Sequence, residues 1–237
     1  MTASPAEPLL RISNLAVCYG AAEVLNDVSL VVEQRQTVGL VGRNGAGKTT
    51  TLRAVSGLVR RKGGRIDIDG QPLSGRPEQV ARSGVVQVPE GRGLMPRLTT
   101  RQNLELGAVA VGRRFAGAEL AQALELFPAL EPMLDRAAGL LSGGQQQMVA
   151  IARGLAQGPK LLMIDELSLG LAPKIVSDLL MLLVRIAKER SIGLLLVDQN
   201  VRALAEVCDA MYHLEDGVAS KSDGKDEELL RTVYFGR

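Results

Sequence analysis

Gly42-Arg-Asn-Gly-Ala-Gly-Lys48-Thr49 satisfies G-x-x-x-x-G-K-[ST] at every fixed position. The apolar run Thr37-Val-Gly-Leu-Val41 leads into it, and Thr49-Thr-Thr-Leu-Arg-Ala-Val55 leaves it. The spacing predicts a strand, a loop and a helix, the context in which such a loop holds phosphate. Gly42, Gly45 and Gly47 lack Cβ, so the backbone can curl and turn its N–H groups inward. Those groups and the positive end of the helix form an anion cradle. Lys48 is placed to bridge β- and γ-phosphates, and the Thr49 hydroxyl to bind Mg²⁺. A glycine-rich turn before an ordinary helix is the plainer reading, and the complete motif with its flanks argues against it.

Working outward, the composition sets limits. The chain has 237 residues, 46% hydrophobic and only 3% aromatic, so aliphatic side chains fill the core. The net charge of +2 is spread without long single-sign runs and gives no field for nucleic acid. Cys18 and Cys208 lack metal or redox spacing and read as small core residues. The first eight residues lack the pattern of a signal peptide. No apolar run approaches the ~18 residues that span a bilayer. A cytoplasmic protein is expected, with any membrane span supplied by other chains.

Residues 9–19 and 24–33 alternate as strands, with Gly20-Ala-Ala as the turn between them; 65–69 is a third strand of the same kind. These suggest a small antiparallel layer beside the main sheet. Residues 85–88, 161–165, 193–197 and 210–214 are short apolar strand runs. From about 95 to 157 the pattern turns helical, with helices near 100–110, 117–127 and 129–138 and one from Ser142 to about Ala156. Thr99/Gln102 and Ser142/Gln145 are capping boxes, and Pro173 suits the first turn of a helix running to about Glu189. A further helix runs to about Val207, and a short one is expected at 225–231. The expected architecture is α/β, a mostly parallel sheet covered on both faces, with a small antiparallel β-subdomain and an inserted α-helical subdomain. Residues 1–90 and 158–237 form the core, and 91–157 the helical insertion.

Two further motifs carry chemistry. Leu161-Leu-Met-Ile164 ends in Asp165-Glu166, a strand delivering two acids. Asp165 would hold the metal, usually through water, and Glu166 would polarise the attacking water and accept its proton. Leu141-Ser142-Gly143-Gly144-Gln145-Gln-Gln147 opens a helix with a hydroxyl and glycine N–H groups, a second anion site. Capping alone accounts for Ser142 and Gln145. It does not account for Gly143 and Gly144, which weaken a helix unless something approaches closely.

This order of motifs resembles the ABC ATPases over nearly the whole chain. The resemblance implies an ATP-hydrolysing P-loop NTPase whose signature, Ser142, Gly143, Gly144 and Gln145, closes the nucleotide held by a second subunit. ATP would be bound by Gly42, Arg43, Asn44, Gly45, Ala46, Gly47, Lys48, Thr49 and Thr50. Tyr19, an edge or core aromatic on sequence grounds alone, falls where the family places its adenine-stacking ring. Glu90 falls where a Gln usually joins the metal site and the transmembrane partner. Thr49, Asp165 and Glu90 are thus the implied Mg²⁺ set, and Glu166, Lys48 and Gln199 the implied catalytic set. Gln199 stands at the switch position that usually holds His. Gln87, nearby but too early and within its strand, is a decoy. Glu166→Gln is therefore expected to abolish turnover and spare ATP binding.

Pro89-Glu-Gly-Arg92, Leu98-Thr99, Asn103-Leu104, Ser168-Leu-Gly-Leu-Ala-Pro173, Asp198-Gln-Asn200 and Val233-Tyr-Phe-Gly236 resemble one branch: the second ATP-binding subunit of branched-chain amino acid importers, the LivF type. Importers of urea and short amides are near relatives. Leu167, Arg35-Gln36 and Asp198 depart from that branch, which usually has Pro, Gly-Glu and Glu there. The implied partners are a second ATPase subunit, the same or different, two membrane permeases and, indirectly, a substrate-binding protein, at the cytoplasmic face of the membrane. A soluble assembly scaffold and a nucleic-acid or ribosome ATPase are the rivals. The latter normally shows paired domains, a coiled coil or a basic arm. His213, the single histidine, reads as packing.

Overall fold

The computed structural model describes residues 7–73, 75–112 and 117–222. Among these residues ten strands form one sheet: β1 Leu10–Tyr19, β2 Ala22–Val32, β3 Thr37–Val41, β4 Gly63–Ile68, β5 Gln71–Pro72, β6 Val85–Val88, β7 Leu161–Asp165, β8 Gly193–Asp198, β9 Ala210–Glu215 and β10 Val218–Ser222. Seven α-helices accompany them: α1 Lys48–Val55, α2 Pro77–Arg82, α3 Thr100–Ala110, α4 Gly117–Leu126, α5 Gly143–Leu155, α6 Pro173–Arg190 and α7 Val201–Ala205. The strand order is β5-β4-β1-β2-β10-β9-β3-β8-β7-β6. Strands β9, β3, β8, β7 and β6 run parallel; β1, β2, β4 and β5 pair antiparallel.

Alternation sorts the core. Leu161 and Met163 of β7 and Leu195 and Val197 of β8 face α1 and the antiparallel strands. Leu162, Ile164, Leu194 and Leu196 face α5 and α6 on the other side. Strands β3, β7 and β8 therefore bury both faces, as an unbroken apolar run requires. Cys208 lies against Gly39 in this core, and burial pushes its thiol up to about 12, with Asp209 adding to the effect.

Three details differ from expectation. The expected small antiparallel β-subdomain forms, and its strands are continuous with the main sheet. They join it through β10, a strand without apolar alternation: β10 pairs antiparallel with β9 and, at Val218↔Asp27, parallel with β2. The segment 129–138 is not an α-helix. Pro128 and Pro132 remove backbone donors, and the chain forms 3₁₀ turns at Pro128–Met133 and Ala138–Leu140. Helix α2 was also not anticipated. The expected helix at 225–231 and the Val233–Gly236 ending lie outside the described residues.

Both capping boxes form. Thr99 accepts from Gln102 N–H and Ser142 from Gln145 N–H, and each glutamine reaches back to the cap N–H. No helix among the described residues is long and apolar enough to cross a membrane.

Candidate functional site

The phosphate loop lies between β3 and α1, at the carboxyl edge of the parallel strands, where open α/β sheets bind ligands. Two glycines are dictated by geometry. A Cβ at Gly42 would stand 2.4 Å from the Leu214 carbonyl oxygen. Gly47, at φ +107°, caps α1, and a Cβ there would meet Leu25 Cδ2 at 2.5 Å. Lys48 is buried; its Nζ donates to the carbonyls of Gly42 (2.9 Å) and Arg43 (3.2 Å). Arg43, Asn44 and Gly45 are exposed on the loop, Ala46 half-buried, and Thr50 buried behind it.

Neighbouring strand ends deliver the other groups. Lys48 Nζ lies 3.3 Å from Glu166 Oε1, and Gln199 Nε2 donates to Glu166 Oε2 at 3.2 Å. Glu166 itself sits in the left-handed region at φ +52°, a costly conformation for a side chain of its size. It holds there because its N–H donates to Val197 O at 2.7 Å and Leu167 is buried behind it. The structure thus brings Lys48, Glu166 and Gln199 together. The resemblance grouped these three residues; the contact geometry itself joins the first residue of α1 to the residues just past β7 and β8 across the sheet edge.

Asp165 is 1% exposed, and neither carboxylate oxygen has a hydrogen-bond partner. Burial pushes its pKa up to about 6. Thr49 lies close enough to oppose the rise without forming a hydrogen bond of normal geometry, while Glu166 and Glu90 add to it and Lys48 opposes it. A buried carboxylate without a partner is costly, and a divalent cation would satisfy both oxygens. Thr49, Asp165 and Glu90 line one groove of about 550 Å³ between α1, α2 and the loop after β6. Among the described residues no group of three or more His, Cys, Asp or Glu could hold a metal alone. That sparse donor set suits a cation held largely by a nucleotide's own phosphates. Gln87 lines the same groove, with its side-chain oxygen accepting from Ser56 Oγ at 2.6 Å.

Tyr19 stands at the end of β1 beside the β1–β2 turn, 44% exposed, so its ring is open for stacking. A trough of about 480 Å³ separates the phosphate loop from Glu23 and Val24 of β2. His213 lines this trough, a placement its sequence position did not suggest; burial lowers its pKa, and Glu215 partly offsets this.

The signature lies apart from this cluster. Among the described residues no hydrogen bond or ion pair joins Ser142–Gln145 to the phosphate loop. A Cβ at Gly143 would stand 3.2 Å from Arg92 Nη2, and one at Gly144 would stand 3.2 Å from Ile175 Cγ2. These approaches are tight but not prohibitive, so packing within the chain does not by itself require two glycines. Asp198 is a residue whose part the sequence did not reveal. Its carboxylate accepts from Ser168 N–H (2.8 Å), Ser168 Oγ (2.6 Å) and Asn200 N–H (3.0 Å). It ties the segment after Asp165-Glu166 to the strand that carries Gln199.

Comparison with known proteins agrees with this geometry. The family model described as ABC transporter matches residues 25–168. The high-affinity branched-chain amino acid transport ATP-binding protein BraG of Pseudomonas aeruginosa is 37% identical over 88% of this chain and 90% of its own length. The lipopolysaccharide export system ATP-binding protein LptB of Haemophilus influenzae is 34% identical over 96% and 97%. A solved ATP-binding subunit of an ABC transporter superposes with a TM-score of 0.82 at 31% identity, covering 95% of this chain and 99% of that one. With a motif order, a fold and relatives that agree, the chain belongs to the ABC transporter family of ATP-binding, ATP-hydrolysing subunits.

Proposed function

We propose that this chain energises an importer of branched-chain amino acids as its LivF-type ATPase subunit. The observation that carries the ATPase chemistry is the convergence of Lys48, Glu166 and Gln199 beside the partnerless Asp165. Lys48 binds β- and γ-phosphate. Thr49, Asp165 and Glu90 would hold Mg²⁺, and the cation would supply charge neutralisation at the phosphates. Glu166 orients the attacking water and takes its proton onto a carboxylate oxygen. Gln199 can donate to the γ-phosphate but cannot accept that proton, since an amide does not protonate near neutral pH. Tyr19 stacks on the base, and residues 42–50 wrap the phosphates.

Residues 1–90 and 158–237 form the nucleotide-binding core, and 91–157 the helical subdomain carrying the signature. One copy of each motif makes half of two shared sites, so a second ATPase subunit, the same or different, completes them. Two permeases take up the motion through the groove beside Glu90, and a binding protein supplies the solute. The chain then works at the cytoplasmic face of the membrane.

The branch assignment is supported by Pro89-Glu-Gly-Arg92 and Asp198-Gln-Asn200 and by the likeness to BraG. A second reading, lipopolysaccharide export, has one observation in its favour: the LptB likeness spans a larger share of the chain. Import of urea or short amides is a variant of the first reading, and a soluble assembly scaffold is a rival to both. Uptake of radiolabelled leucine, urea and a short amide in a strain lacking this chain tests the import readings. Loss of leucine uptake supports the proposal. Normal uptake of all three together with surface loss of lipopolysaccharide overturns it. Co-purification with a soluble complex and no membrane protein overturns both transport readings.

A further inference from the structure

The loop from Pro89 to Gly93 and helix α5 grip each other through two arginines pointing in opposite directions. Arg92 Nη1 donates to Gln146 Oε1 at 2.9 Å. Arg153, about two turns along α5, donates back, from Nη1 to the Gly93 carbonyl (2.8 Å) and from Nη2 to the Arg92 carbonyl (3.1 Å). The guanidinium is partly buried, and these carbonyls satisfy its donors. Gln146 passes the contact on. Its Nε2 donates to the carbonyls of Ala138 (3.1 Å) and Leu141 (3.2 Å), the second being the residue before Ser142. A guanidinium fixing Oε1 as acceptor leaves the amide N–H groups to hold the run-in to the signature. The absence of a Cβ at Gly143 leaves room for Arg92 Nη2. The path is continuous: Glu90, two residues from Arg92, then Gln146, then Leu141 and Ser142.

We propose that Arg92 is a positioning residue for the signature, holding Ser142–Gln145 in place through the Gln146 amide. The inference rests on the reading of that segment as the part closing a nucleotide on a second subunit. Loss of Arg92 then leaves the chain's own phosphate site intact and misplaces what it offers to its partner.

The test uses the full chain assembled with its co-purifying subunits. Arg92→Ala should lower kcat about tenfold, the scale of one hydrogen bond to a charged group, with KM for ATP changed less than about twofold. Amide exchange over 138–146 should quicken about tenfold while β7 is unchanged. Gln146→Ala should behave alike, and the double variant should be no worse than either single one. Arg92→Lys keeps the charge but not the planar fork and should recover part of the rate. Unchanged exchange over 138–146, additive losses, or a KM that rises as kcat falls would overturn the proposal. If Arg92→Ala does not fold, Arg92→Lys and Gln146→Ala decide by the same exchange readout. Ser142→Ala separates the two failures. If it hydrolyses ATP normally, the shared-site reading is wrong; if Ser142 is needed and Arg92→Ala is not slowed, only the positioning role is wrong.

Discussion

The two poles of the molecule handle their polar groups in opposite ways. At the phosphate loop, polar groups are buried and poorly matched. Asp165 has no partner, Lys48 leans on two carbonyls and Glu166, and Glu166 is bent into a left-handed backbone. At the signature the side chains are locally satisfied: Ser142 and Gln145 cap each other, and Gln146 is fully engaged, which leaves the Gly143 and Gly144 N–H groups at the helix start as the groups on offer. The first pole is built to be completed by a ligand. The second is finished in its side chains, and its demand for a partner is invisible within one chain.

The sharpest way to break this contrast is at the first pole. Glu166→Gln should lower phosphate release by about 10³-fold, the scale of a lost general base, while fluorescent-nucleotide binding persists. Turnover near the wild-type rate would remove Glu166 from the base role. Lys48→Ala should cost at least about 10²-fold in turnover and weaken nucleotide binding as well, so the two variants separate chemistry from grip. The second pole is next. Thr99→Ala and Ser142→Ala each remove one side of a capping box, and each should lower stability by about 1 kcal/mol in denaturant unfolding. Only Ser142→Ala should also slow hydrolysis, by about tenfold or more. Equal rates for the two would reduce Ser142 to a cap.

Backbone geometry gives a smaller, purely structural contrast. Gly47→Ala meets Leu25 at 2.5 Å and a φ of +107°, whereas Gly45→Ala, at φ +83°, meets nothing within 4 Å. Gly47→Ala should therefore unfold at lower denaturant, by about 2 kcal/mol more than Gly45→Ala. The least effect is expected at His213. Its folded pKa lies below 6.5, so the unfolded chain takes up the proton first as pH falls. Its contribution to stability is present above pH 6.5 and fades below it. His213→Ala should flatten that acid-side loss in a melting-temperature profile from pH 7.5 to 5.5, with hydrolysis unchanged.

Much of the first pole was legible in the sequence because its chemistry needs fixed residue types at fixed spacing. Strand ends delivering Asp165 and Asp198 announce themselves as apolar runs broken by acids. Both capping boxes and Pro173 at the start of α6 could be read for the same local reason. What escaped was decided by distant parts of the chain. Strand β10, Val-Ala-Ser-Lys-Ser, has no apolar alternation and exists because β9 offers it an edge after the Gly217 turn. The 3₁₀ turns at 128–133 were foreshadowed by two prolines but obscured by an apolar pattern of helical appearance. Arg92 to Gln146 and Lys48 to Glu166 span 54 and 118 positions, and no local pattern marks them.

The late strand β10 has a mechanical consequence. Strands β1 and β2 are joined by seven paired positions, whereas β10 meets β2 at Val218↔Asp27 alone. Besides this there are the Gly217 carbonyl, shared by Asn26 N–H and Asp27 N–H, one Asn26 side-chain bond to Asp216 O, and the Tyr212 hydroxyl accepting from Val31 N–H at 3.3 Å. The sheet is thus a beam with a notch. Few ladder bonds cross there, so the flank carrying Tyr19 is held to the flank carrying the phosphate loop chiefly by the core they share, with Leu25 and Leu30 packed among Leu40, Leu52 and Leu214. Gly217 forms the corner of the notch. A Cβ there would stand 2.7 Å from Val24 O, so stiffening the beam at this corner would first require prying it open.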